Sequence, residues 1–361
     1  MRMNKSDRHG GMSRRDVLRA LGGLGFGSSL VGTTFAQASA PDRRVDVHHH
    51  FFVSPAARKY FASSPTPEPI VQYSPARSLD ALEAAGVQKA FLSCPIPFGD
   101  DRIKDQRDAA KVARDLNDYG AKLVADNKGR FGLFALLPLP DIDASLREIE
   151  HVFDTLKADG VALVTSYGNR WLGDAAFEPV FDELNRRKAV VYTHPVDAPC
   201  CHNLVPNGTL TIEWLTDTSR AIWSLINDGN TPGSSRTFAS RATRYANVQF
   251  IWSHAGGTLV GLASRFLGQE IAGLSADPAK DSKLYHLRRF FYDTATAANP
   301  IQMQALKRLV GSSQILFGTD FPFVPVAVGL SGLQTAGFSP QELRAVCFDN
   351  ALRILPGIGR I

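Results

Sequence analysis

"RVDVHHHFF", residues 44–52, decides how the rest of the chain is read. A short β-branched, apolar run leads straight into three consecutive histidines. In an extended strand, successive side chains face opposite sides. His48 and His50 therefore share one face, and His49 takes the other. An H-x-H pair closing a strand suits a grip on a single metal ion. For His49 the expected role is packing or support of its neighbours.

Seven further runs have the same character: "VQKAFLSC" (87–94), "RFGLFALLP" (130–138), "GVALVTS" (160–166), "AVVYTHP" (189–195), "VQFIWSHAGG" (248–257), "FFYDTA" (290–295) and "QILFGTDFP" (314–322). Each is short and rich in Val, Ile, Leu or Phe, as strands buried on both faces are. Between them lie stretches of helical periodicity. One is "DIDASLREIEHVFDTLKAD", with Asp141 or Asp143 as N-cap and a stop before Gly160; another is "AAFEPVFDELNRRK". Eight strands alternating with helices predict an α/β fold, a (β/α)8 TIM barrel, as a single domain over residues 41–361. A doubly wound open sheet is the alternative, but no Gly-rich phosphate loop follows the first strand. Two connections exceed what a barrel needs. Residues 51–78 are Pro/Ser-rich and are expected to cap the mouth, and 196–247 form a long insert after strand 5, a lid or an interface.

The C-terminal strand ends carry the polar residues. His194 closes strand 5 in "YTHP", His254 closes strand 6 in "WSHAGG", and Asp320 closes strand 8 in "FGTDFP". Barrel enzymes keep their chemistry at that rim. Asp293, at the end of strand 7, is placed to orient a metal ligand from behind. Tyr167, Asn169 and Arg170, in the "YGNRWLGD" loop after strand 4, are expected to overhang the mouth as substrate contacts or as a plain turn. His202 would join them if the insert folds over the site.

In this order the residues resemble the amidohydrolase superfamily. Within it the chain looks like the metal-dependent decarboxylases that include the aminocarboxymuconate-semialdehyde and γ-resorcylate enzymes. "DVHHHF", "YGNRWLGDAAFEPVFDELNRRKAVVYTHP", "FFYDTATAANP" and "QILFGTDFP" are similar to 6-methylsalicylate decarboxylase-like members. The resemblance implies a single divalent metal, because strand 4 lacks the lysine or glutamate of binuclear members. It implies His48, His50, His194 and Asp320 as its ligands, and His254 as an acid/base or substrate-orienting residue. The N/O donor set suits Zn²⁺, with Mn²⁺ as the alternative. Arg77 lies where related decarboxylases carry an arginine for the substrate carboxylate. Related enzymes are often dimers, so a homodimer is expected.

The implied reaction is non-oxidative decarboxylation of a small aromatic carboxylic acid of the hydroxybenzoate or 6-methylsalicylate kind. Asp320 would deliver a proton to the ring carbon that bears the carboxylate, and His254 would tune or relay it. The alternative is a metal-dependent hydrolase of a lactone or amide, with Asp320 as base and His254 on the oxyanion. A third option is an inactive periplasmic ligand-binding protein on the same scaffold.

The net charge of +5 hides an uneven distribution. The first forty residues hold six basic and two acidic side chains, which leaves the remainder close to neutral and no basis for nucleic-acid binding. "SRRDVLR" (13–19), followed by a Gly-diluted apolar run and "AQASA", predicts a twin-arginine signal over residues 1–40, cleaved near Ala38 or Ala40. The expected partner is the twin-arginine export machinery and the expected location the periplasm, with no stable membrane insertion. Four cysteines in 361 residues do not make a disulfide framework and are expected to be small buried or loop residues.

Overall fold

The computed structural model describes residues 43–52, 68–96, 106–201, 204–206, 208–227, 239–274, 277–355 and 357–358. The proposed export signal and His202 lie outside the described residues. Eight parallel strands follow one another around a barrel: β1 (Val45–His50), β2 (Lys89–Ser93), β3 (Phe131–Leu136), β4 (Gly160–Val164), β5 (Val190–His194), β6 (Gln249–Trp252), β7 (Phe291–Asp293) and β8 (Ile315–Leu316). The sheet closes where the chain beyond β8 returns to β1. Val47 N–H donates to Phe317 O at 3.0 Å, Asp320 N–H to His48 O at 2.9 Å, and His50 N–H to Phe321 O at 2.8 Å. This is the (β/α)8 barrel that the alternating runs predict, and each strand lies inside its expected stretch.

Local chemistry places the helices. Ser74 caps α1 (Pro75–Ala84), where Pro75 gives up no hydrogen bond because the first turn has no acceptor for it. α2 (Gln106–Asp126) precedes β3, and Asp141 caps α3 (Ile142–Glu150) by accepting Ala144 N–H at 2.9 Å. α4 (Glu178–Arg186) turns Val180, Phe181 and Leu184 onto the sheet. Inside the barrel a separate apolar layer contains Val45, Val47, Phe91, Phe134, Tyr192 and Ile251. Phe91, Phe134 and Tyr192 stack in series, with ring centroids 5.1 and 5.4 Å apart. Each such pair adds about 1 kcal/mol beyond burial, so the barrel floor is stiff.

One irregularity in β1 matters for everything above that floor. Val45 pairs with Lys89 and Asp46 with Ala90, but His49 pairs with Leu92 and His50 with Ser93. Three steps on β1 therefore face two on β2, the signature of a bulge at Val47–His48. Val45 and Val47 fill the interior layer, and after the bulge His48 and His50 also point inward. Strict alternation from Val45 would have turned both histidines out.

The insert after β5 contributes α5 (Trp214–Ile226), held against the barrel where Ser219 Oγ–H donates to Gly256 O at 3.1 Å. Ahead of it Leu204, Val205, Leu210 and Ile212 are exposed. Cys200 and Cys201 form a disulfide between adjacent residues, which closes no loop of chain and gives no framework. Cys94 and Cys347 are free and buried. Among the described residues no helix is long and apolar enough to cross a membrane.

Candidate metal centre

His48, His50, His194 and Asp320 converge at the C-terminal rim, each offering one donor atom, all within 4.8 Å of one another. His48 Nε2 lies 3.1 Å from His50 Nε2, and Asp320 Oδ1 lies 3.2 and 3.1 Å from these two nitrogens. All four residues are buried. Polar groups packed this tightly in a buried site need a shared partner.

The orientation of each ring is fixed from behind. Asp293 Oδ2 takes the His48 Nδ1 proton at 2.8 Å, Ser93 Oγ lies 3.1 Å from His50 Nδ1, and Pro195 O accepts from His194 Nδ1 at 2.9 Å. With Nδ1 so engaged, each Nε2 lone pair is turned toward the cluster, as in carboxylate–histidine–metal arrangements. The buried Nε2 of His194 has no hydrogen-bond partner. An unpaired imidazole nitrogen aimed at a carboxylate and two more imidazoles fits a divalent cation, and the residues pass that test.

The charges agree. Burial works against the His48 imidazolium, yet Asp293 and Asp320 overcome it and push its pKa up to about 10. Burial lowers His50 and His254, and it takes His194 well down, helped by repulsion from His50 and His48. Burial would raise Asp320, but His48 and His50 hold it well below the ordinary carboxylate range. Without an ion the pocket thus holds the Asp320 carboxylate beside a His48 imidazolium and three neutral imidazoles, and a bound cation would take the place of the proton on His48 Nε2.

His254 stands at the edge, its ring centroid 5.0 Å from that of His48 and 5.5 Å from that of His194. Its Nδ1 lies 2.9 Å from Thr296 Oγ1, and its backbone N–H donates to Asp293 Oδ1 at 2.9 Å. Asp293 therefore holds both His48 and the backbone of His254. The φ angles of His254 (53°) and Asp320 (69°) lie in the left-handed region that non-glycine residues rarely adopt. Such strain clusters where a side chain must be aimed. Gly318 provides the room: a Cβ there would lie 2.8 Å from His48 Cβ and 2.9 Å from Asp293 Cβ.

The remaining expected residues fall elsewhere. His49 faces out of the barrel, its Nδ1 2.9 Å from Asp46 Oδ2, its Nε2 2.5 Å from Ser78 Oγ and its ring stacked on Phe321. Tyr167 is buried against Phe177 and its hydroxyl accepts Val164 N–H at 3.2 Å, so that oxygen serves the backbone. Asn169, in the turn of a small antiparallel ribbon, and Arg170, on its second strand, are exposed, and Trp171 anchors the ribbon by donating to buried Asp217 at 2.7 Å. Arg77 is engaged at the surface, donating to Gln72 O at 2.7 Å and Gln72 Oε1 at 2.9 Å.

Asp46, Ser93 and Gly318 escaped the sequence analysis. Asp46 accepts from Thr319 Oγ1 at 2.6 Å, Thr319 N–H at 3.1 Å and His48 N–H at 3.0 Å, which ties β1 to the segment that carries Asp320. A charged residue inside "RVDV" was the available signal.

A parallel barrel with imidazoles and a carboxylate gathered at its C-terminal rim defines a class of metal-site enzyme scaffolds. The chain belongs to the amidohydrolase family, whose model matches residues 45–357. It is 33% identical over 333 residues to decarboxylase yanB of Aspergillus niger, covering 87% of each chain. It is 34% identical over 297 residues to the 6-methylsalicylic acid decarboxylase of Penicillium expansum, covering 78% of this chain and 86% of that one. Among solved structures, a dihydroxybenzoic acid decarboxylase from Polaromonas with bound manganese superposes with a TM-score of 0.71 at 20% identity, over 87% of this chain and 97% of that one.

Proposed function

We propose that this protein is a metal-dependent, non-oxidative decarboxylase of a small aromatic carboxylic acid of the hydroxybenzoate or 6-methylsalicylate kind. The observation that carries this is the inward-turned donor set of His48, His50, His194 and Asp320 in a chain so similar to named decarboxylases. Those four side chains would hold one ion. Zinc is proposed on donor type, and manganese, present in the Polaromonas relative, is the alternative. When bound, the ion supplies Lewis-acid charge that orients an acidic substrate and draws off its negative charge.

The protein's own residues then move the proton. Asp320, held ionised, first works as a base and takes the proton from a ring hydroxyl beside the carboxylate. It returns that proton to the ring carbon bearing the carboxylate, giving a dienone. The carbon–carboxylate bond breaks, its electron pair flows back into the ring, CO2 leaves and aromaticity returns. Solvent reprotonates the phenolate. His254, kept neutral by burial, is within reach to relay or steady the proton.

Turnover of a panel of hydroxybenzoates and lactones tests this. CO2 release supports it, lactone opening replaces it with hydrolysis, and binding without turnover makes the protein a ligand carrier. We further propose export by the twin-arginine machinery to the periplasm, on "SRRDVLR" and "AQASA", and pairing into a homodimer, on the resemblance to dimeric decarboxylases.

A further inference from the structure

Just past β7 the chain makes a tight turn, closed where Ala297 N–H donates to Thr294 O at 3.0 Å. Thr296 stands in it with a φ of 54°. Glycine or asparagine is the usual occupant of a left-handed turn position, and a β-branched residue there is a genuine outlier. The turn is firmly tied down. Thr294 Oγ1 donates to Gly318 O at 3.2 Å and accepts Gly318 N–H at 3.1 Å, while Asp293 Oδ1 accepts Ala295 N–H at 3.0 Å. Thr296 itself is exposed, so packing of its methyl group does not account for it.

The place of its hydroxyl does. Thr296 Oγ1 lies 2.9 Å from His254 Nδ1, and Ala295 O lies 3.2 Å from the same nitrogen. A carbonyl oxygen can only accept, so Nδ1 carries the ring proton and shares it between the two oxygens. In the neutral imidazole a proton on Nδ1 leaves Nε2 with its lone pair. The ring stands beside those of His48 and His194, with Nδ1 given to the 295–296 turn and Nε2 on the side away from it. A donor to an oxyanion would need the opposite tautomer, with the proton on Nε2.

We propose that Thr296 is a positioning residue: its hydroxyl oxygen shares the His254 Nδ1 proton with Ala295 O and so holds the Nε2 lone pair ready to accept a hydrogen bond from the substrate. Its part in decarboxylation rests on the function proposed above; the tautomer does not. The left-handed backbone is what aims the hydroxyl at the ring. Glycine would be relaxed at this position but has no hydroxyl to aim.

The test compares wild type with Thr296→Val, Thr296→Ser and Thr296→Gly, all loaded with zinc to equal content. Long-range proton–nitrogen NMR on histidine-labelled protein reads which ring nitrogen is protonated, the His254 signals being those lost in His254→Asn. The expected result is a proton on Nδ1 in wild type and Thr296→Ser, and a mixture of tautomers in Thr296→Val. With 6-methylsalicylate, kcat for CO2 release should fall about tenfold in Thr296→Val and Thr296→Gly while KM stays within about twofold. Thr296→Ser, which keeps the hydroxyl, should restore it. Thr296→Gly should melt no lower than wild type, a loss of rate without loss of stability that a merely structural residue would not give. A proton on Nε2 in wild type, an unchanged tautomer in Thr296→Val, a Thr296→Ser enzyme as slow as Thr296→Val, or a Thr296→Gly protein that melts well below wild type overturns the proposal. A wild type that releases no CO2, while Thr296→Val still shifts the tautomer, would instead remove the decarboxylase assignment and leave the positioning role standing.

Discussion

Asp293 Oδ2 accepts the His48 Nδ1 proton at 2.8 Å, while its other oxygen accepts the backbone N–H groups of His254 at 2.9 Å and Ala295 at 3.0 Å. One carboxylate therefore aims a donor ring and shapes the loop beside it. Asp293→Asn keeps the size but weakens the grip on the imidazole. Metal affinity should fall about 10- to 100-fold with the fold retained. Titration against a calibrated chelator measures it, and an unchanged affinity would remove Asp293 from the account.

Alternation beyond the bulge in β1 gives adjacent histidines opposite duties. His50→Ala should lose metal and activity together. His49→Ala should keep most of its metal and lose about 1–3 kcal/mol of stability, because Asp46 and Ser78 are left without their buried partner. Elemental analysis beside thermal unfolding separates the two outcomes. Comparable metal loss in both variants would mean that the two rings do not divide as the strand places them.

Gly318 packs where β8 runs on toward Asp320, between His48 and Asp293. Its φ is not in the left-handed region, so the requirement is for space alone. Gly318→Ala should cost about 1–3 kcal/mol through overpacking and displace His48, lowering metal content. A variant with wild-type melting temperature and full metal would show that the backbone yields there without consequence.

Much of this was legible in the sequence because barrel strands announce themselves twice: by apolar runs, and by the polar residue that ends each run. The "THP", "SHAGG" and "GTDFP" stretches placed His194, His254 and Asp320 correctly at one rim. Parity also kept His48 with His50. It could not say which way the pair faces, because a bulge is a property of two strands in register and leaves no mark on one. The support given by Ser93 and Asp46 was hidden for the same reason: each depends on a partner distant in the chain. The "YGNRWLGD" loop misled in the other direction. Tyr167 sits at a strand end, yet its ring is apolar enough to pack on Phe177, leaving only Asn169 and Arg170 outside.

Export is an independent matter. Arg14→Lys combined with Arg15→Lys preserves the charge of the leader and removes the paired guanidinium groups. Precursor should accumulate in the cytoplasm, as judged by fractionation and mass of the N-terminus. Undiminished periplasmic protein would contradict a twin-arginine leader.

The most direct test of the whole is CO2 evolution from 6-methylsalicylate by the purified protein before metal stripping, after it, and after reconstitution. The account predicts one CO2 per acid consumed, abolished when the ion is removed, restored by zinc or manganese, and absent in His194→Ala under every condition. Undiminished CO2 release from the stripped protein, or from His194→Ala, would contradict it.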